Sequence, residues 1–281
     1  MAGLTRATGA AAALAGAIVL ASCGSDTGTT ADAPSSPPSA PSPNGTATTG
    51  PSSGAQPVLR WRRTGGIAGR GGPGDLPEFS LYGDGRAIFI PDGGGRGATE
   101  YRLRPDALRR LLDGARAAGL DRSRTIAPGR LVMDAMNLEI TMGAARTRVV
   151  MPEEHDGPVT RFHRRLDPTG WAAGDLAGPV RPYRAARVAV LAGRVGADAG
   201  SGDGPAVKAW PLAPLDRGER VAGRLLCTVL SGRDAATAER LAASESSGSS
   251  GTAWRSGAHL YFVRFRPLLP DETTCADIAR R

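Results

Sequence analysis

The sequence predicts an α+β fold: two small antiparallel sheet-plus-helix modules forming one compact region, preceded by a disordered tether. Three observations lead there. Short runs of alternating apolar and polar residues, broken by glycine turns, recur along 57–281 and mark half-buried strands. Stripes of apolar residues at helical spacing fall between those runs. Residues 24–56, in contrast, are almost entirely Ser, Thr, Pro, Gly and Ala, with only Asp26 and Asp32 charged. Such a segment has no apolar surface to offset ordering entropy.

The elements follow in order. Arg6 precedes an uninterrupted run of small and apolar residues from Ala7 to Leu20. The run is shorter than the roughly 20 residues a spanning helix needs, and suits the core of a secretory signal. Leu20-Ala21-Ser22-Cys23 closes it in the pattern of a bacterial lipobox. The expectation is a signal peptide over 1–22, lipidation of Cys23, and a linker over 23–56 with an end-to-end distance on the order of 30 Å. The expected location is the extracytoplasmic face of the cell membrane, held by the lipid.

Val58 to Arg63 reads as an amphipathic edge strand, with Leu59 and Trp61 on one face and Arg60 and Arg62 on the other. Gly65 to Gly74 is a glycine-rich loop without the Gly-Lys-Ser/Thr of a phosphate loop. Phe79 to Ile90 is a hairpin turning at Tyr82-Gly83-Asp84-Gly85, where positive φ is needed. Pro105 to Ala118 is a helix: Pro105 suits its first position, Leu108, Leu111, Leu112 and Ala115 form the stripe, and Gly119 ends it. Met136–Thr141 and Arg146–Met151 form a second hairpin near Gly143. Val159, Phe162 and Leu166 mark a short helix that stops at Pro168. These elements make a first module over 57–175.

The second module, 176–281, begins with a strand over Arg184–Leu191. A loop at 196–206 follows, then a strand over Arg224–Leu230, a helix over Asp234–Ala243 and a loop at 244–251. His259–Arg266 alternates as a strand with Tyr261, Val263 and Phe265 on one face. "RPLLPDETTC" returns as an extended tail. With Cys23 lipidated, Cys227 and Cys275 remain as an even pair in an oxidising compartment, and one disulfide between them is expected.

The formal net charge is +8, and Lys208 is the only lysine among the basic residues. Arginines scattered among carboxylates do not form the basic stripe of a nucleic-acid binder, so no nucleic-acid partner is expected. Anionic cell-wall polymers, lipid headgroups or an envelope protein fit the charge better. "MPEEHDG" gathers Glu153, Glu154, His155 and Asp156, with His163 on the next helix. Those residue types suit zinc or manganese, but neighbours on an extended segment point to opposite sides, so the set is a weak metal candidate. No Gly-x-Ser-x-Gly elbow is present, and no cofactor motif is found. The expected function is therefore a non-catalytic binding module of the cell envelope. The alternative is a metal-dependent or other hydrolase using the Glu153–His163 neighbourhood.

"LPEFSLYGDGRAIFI…LRPDALRRLLDGARAAGL", "MDAMNLEITMGAARTRVV" and "AWRSGAHLYFVRFRPLLPDETTC" together resemble an uncharacterised family of actinobacterial lipoproteins. The resemblance covers most of 57–275. It implies the fold and the envelope location, and it transfers no catalytic residues.

Overall fold

In the computed structural model the described residues are 56–279 apart from Ala68, 92–96, Leu131, 197–205 and 246–251. The expected signal peptide, the lipidated Cys23 and nearly all of the linker lie outside them, as do most of the two loops predicted at 196–206 and 244–251.

The first sheet runs through β1 (Pro57–Gly65), β2 (Phe79–Tyr82), β3 (Arg86–Phe89), β4 (Thr99–Arg102), β5 (Arg124–Ile126), β6 (Met136–Met142), β7 (Ala145–Val150) and β8 (Arg181–Pro182). Their spatial order is β5-β7-β6-β1-β2-β3-β4-β8. Only the β5–β7 pair is parallel, so the sheet is mixed rather than wholly antiparallel. β1 is central, not an edge. Both its sides are taken, by β2 (Leu59↔Leu81) and by β6 along its whole second half (Arg60↔Thr141 to Gly65↔Met136). On its arginine face Arg60 meets Asp271 of the C-terminal tail, and Arg62 pairs with Glu139 of the neighbouring β6.

Two helices cover the other face. α1 (Pro105–Ala117) buries Ala107, Leu111 and Ala115, and α2 (Pro158–Arg164) buries Val159 and Phe162. They close on Leu59, Trp61, Phe79, Leu81 and Ile140 in one core. α1 ends as its sequence requires. Gly119 takes φ 78°, its N–H donates to Arg116 O, and Leu120 N–H donates to Ala115 O, the paired bonds of a Schellman stop. In the β2–β3 turn the positive φ falls on Gly85 alone, at 84°, and Asp84 Oδ1 accepts the Arg86 N–H.

The second sheet comprises β9 (Arg187–Arg194), β10 (Val207–Ala209), β11 (Glu219–Ala222), β12 (Leu225–Ser231), β13 (Ala253–Ser256) and β14 (His259–Pro267). Its order is β10-β13-β14-β9-β12-β11, again with one parallel pair, β10–β13. α3 (Gly232–Glu245) covers one face, with Ala235 and Ala238 against Val188, Val190, Trp254 and Tyr261. The chain passes from the first sheet to the second after Pro182, because Leu176 bridges Leu103 and β8 pairs with β4. The predicted break at 175/176 falls a few residues early.

The tail joins the two cores. Adjacent residues on extended backbone point to opposite sides. Leu268 enters the cluster of Ala189, Leu191 and Cys227 on the second sheet. Leu269 enters the cluster of Tyr82 and Ile88 on the first. The tail is not extended to its end: Cys275–Ala279 forms a short helix, α4. It is set by the Thr-x-x-Asp pattern of Thr274 and Asp277, in which the carboxylate reaches back to the helix start as in one half of a capping box. Asp277 Oδ2 accepts the Thr273 and Thr274 N–H groups, each at 2.9 Å. Burial alone would raise this carboxyl, but those two N–H groups and both threonine hydroxyls hold it down at about 2.

Candidate functional site

Where the two sheets meet, β1 and the tail supply matched charges. Arg60 forms a two-pronged pair with Asp271, Nη2 to Oδ1 at 2.7 Å and Nη1 to Oδ2 at 3.1 Å. Its Nε donates to Ser80 Oγ at 2.8 Å. Tyr82 donates its phenolic O–H to Asp271 Oδ1 at 2.8 Å. Burial works against the Arg60 cation, yet the hydrogen bond and charge of Asp271 more than offset it and raise the guanidinium pKa. Burial, reinforced by the Asp271 charge, pushes the Tyr82 phenol far above its ordinary range.

One residue further along the tail, Glu272 turns the opposite way. It takes Arg266 at 2.6 and 2.9 Å and the Leu269 N–H at 2.8 Å. The Arg266 and Glu272 side chains are only 1% and 0% exposed. Tyr183 adds a third tie, donating its hydroxyl to Leu268 O at 2.6 Å.

Beside this junction a cleft of about 970 Å³ opens between the 69–78 loop of the first sheet and strands β9 and β14 of the second. Phe262 and Leu225 give it apolar surface, and Arg63, Arg70 and Arg264 line it together with Asp75 and Glu78. Phe262 is 45% exposed. Arg264 pairs with Asp75 at 3.1 Å and lies over Gly74, where a Cβ would come within 2.5 Å of its Nη1. Glu78 lies beneath, accepting the Arg63 N–H at 3.0 Å with Arg70 3.8 Å away. Burial dominates its titration and raises its pKa. The glycine-rich loop does not offer its N–H groups to a ligand: Gly71 and Gly72 donate to Asp75 Oδ2 at 2.8 and 3.2 Å. The loop is filled by its own carboxylate.

The metal candidates do not converge. Glu154 pairs with Arg130. Asp156 pairs with Arg164 at 2.7 Å and Arg161 at 3.7 Å; the Arg164 hydrogen bond, then its charge, lowers the Asp156 pKa. His155 Nε2 donates to Val150 O at 3.0 Å. His163 stands edge-on to Trp61, ring centroids 4.4 Å apart. No group of three metal-ligating side chains forms among the described residues. Cys227 and Cys275 are brought together, joined through their sulfurs with Cα atoms 5.9 Å apart.

Sequence reasoning missed the Arg60–Asp271 and Arg266–Glu272 pairs. The only local signal was a Pro-Asp-Glu in the tail, and nothing there names partners across the chain. The chain matches no protein-family model, no curated protein and no solved structure. No helix among the described residues is long and apolar enough to cross a membrane.

Proposed function

We propose that this chain is a lipid-anchored envelope protein whose folded body is a non-catalytic binding module for an anionic cell-wall polymer. The resemblance to actinobacterial lipoproteins belongs to the same reading, as does an oxidised Cys227–Cys275 pair outside the cytosol. The observation that carries it is the inter-sheet cleft, open to solvent and lined by Arg63, Arg70 and Arg264 beside apolar surface, with Asp75 and Glu78 the acids among them. An extended polyanion can follow such a cleft, and the net positive charge speeds its arrival. The lipobox and tether account for placement: acyl chains on Cys23 would hold the protein at the membrane, with two chains needed for stable anchoring, and the linker would let the body reach the wall.

Two measurements test this. Labelled palmitate is expected on the parent chain and lost in Cys23→Ala; equal labelling of that variant overturns the anchor. The full chain is expected to co-sediment with purified cell-wall sacculi in a salt-sensitive manner, and Arg63→Ala/Arg264→Ala to weaken retention several-fold. Equal retention by that variant, or capture of a protein in place of polymer, overturns the ligand assignment.

A further inference from the structure

A second cavity, of about 410 Å³, lies between the end of α1, strand β5 and the segment entering α2. It is the cavity to which the "MPEEHDG" stretch contributes His155, but its chemistry is the reverse of a metal site. Among the described residues that line it, the charged groups are Arg116, Arg122 and Arg124, and none is a carboxylate. The nearby acids are turned elsewhere: Asp113 to Arg116 at 2.6 Å, Glu154 to Arg130, and Asp156 to Arg161 and Arg164.

One guanidinium is held by the fold, and the backbone that carries a second is tied. Arg124 Nη2 donates to Ala118 O at 2.7 Å, across the end of α1. It lies over Gly119, where a Cβ would sit 2.9 Å from that nitrogen, so the glycine that stops the helix also makes room for the guanidinium. The Arg122 backbone is tied by its carbonyl, which accepts from the buried Thr147 hydroxyl at 3.4 Å. Ile126 and Val159 supply apolar lining.

We propose that this cavity binds a small phosphate monoester, with its oxyanion at Arg122 and Arg124 and its carbon body against Ile126 and Val159. Arg122 and Arg124, two residues apart, both line the cavity; two forks suit a head with three charged acceptor oxygens, whereas a single carboxylate is satisfied by one fork. This cavity shares no lining residue with the inter-sheet cleft, so the site is separate from it and does not depend on that assignment.

The test uses the full chain and glycerol 3-phosphate, titrated calorimetrically at about 0.1 M salt. Saturable one-to-one binding is expected. Arg122→Ala and Arg124→Ala should each weaken it by about tenfold, the contribution of one charge-assisted hydrogen bond. Arg63→Ala/Arg264→Ala, in the other cleft, should leave it unchanged. Both cavity arginines are exposed, so these variants are expected to keep the parent's circular dichroism. Competition by phosphatidic acid vesicles would assign the phosphate to a lipid headgroup; no competition would assign a soluble ester. Absence of saturable binding, equal binding of glycerol, or full binding by the Arg122→Ala/Arg124→Ala variant overturns the proposal.

Discussion

At the scale of single residues, the informative groups are polar ones removed from water. An ionised carboxyl loses hydration on burial, and hydrogen-bond donors or partners of opposite sign must replace it. Glu272 and Asp271 have two-pronged arginine partners. Glu78 has a backbone N–H and an arginine at 3.8 Å, and its pKa is raised. The sign of the consequence is fixed. A carboxyl whose folded pKa exceeds its unfolded value, about 4.3 for Glu, contributes stability that is fully present below that unfolded value and lost as pH rises through the folded one. At neutral pH the charge on Glu78 therefore costs stability. Glu78→Gln keeps an acceptor for the Arg63 N–H and removes the charge. Its urea midpoint is expected above the parent's at pH 7, with the difference closing by about pH 4. A lower midpoint at pH 7 would mean that attraction to Arg70 outweighs desolvation.

At the scale of elements, the turns separate two costs that a glycine avoids. Gly143 and Gly85 both have positive φ, 57° and 84°. A Cβ on Gly143 meets nothing within 4 Å, whereas one on Gly85 lies 2.6 Å from Leu103 O. Gly143→Ala should lose only the left-handed preference, about 1 kcal/mol. Gly85→Ala should lose more, because the Leu103 carbonyl and its strand must shift. Chemical denaturation of both variants measures the difference, and equal losses would show that the β3–β4 side yields freely. These turns, α1 with its glycine stop, and the long strands were legible because their signals are local. Spacing and turn chemistry act within a dozen residues. The edge or centre status of β1 was not, because it depends on β6, which lies more than seventy residues along the chain. Strands of two to four residues such as β5, β8 and β10 carry too few positions to show alternation, and their pairing partners define them. The Thr-x-x-Asp start of α4 was readable in Thr274-Cys275-Ala276-Asp277, but the neighbouring prolines gave a competing extended reading. Of the candidate sites, the cysteine pair was legible from counting and compartment. The arginine cavities were not, since each assembles from segments that only the fold brings together.

At the scale of the whole molecule, two sheet-and-helix cores share one narrow seam. Each core has its own helices and its own tryptophans: Trp61 and Trp171 in or against the first, Trp210 and Trp254 in or against the second. The tail runs through the seam, with Leu268 on one side, Leu269 on the other, and Asp271 gripping Arg60 and Tyr82 across a sequence separation of 211 residues for the arginine, and Asp75 of the first sheet's loop adds contacts to Arg264 and Arg266 of β14. The Cys227–Cys275 bond fixes the end of that tail to the second sheet only. The two fastenings therefore fail differently. Cys227→Ser/Cys275→Ser releases a closed loop with a sequence separation of 48, worth about 4 kcal/mol in the chain-entropy model, and should lower the stability of the second core most. Asp271→Ala leaves Arg60 buried without its carboxylate, a loss of about 3–5 kcal/mol for a broken buried pair, and leaves both cores internally whole. Its expected signature is lost cooperativity. In the parent, variants retaining only Trp61 and Trp171 or only Trp210 and Trp254 should report one urea midpoint. With Asp271→Ala added, the first pair should unfold at lower urea than the second. Coincident midpoints in that background would show that Leu268, Leu269, the Tyr183 hydroxyl and the Asp75 contacts of Arg264 and Arg266 suffice to couple the sheets without the Asp271 clamp.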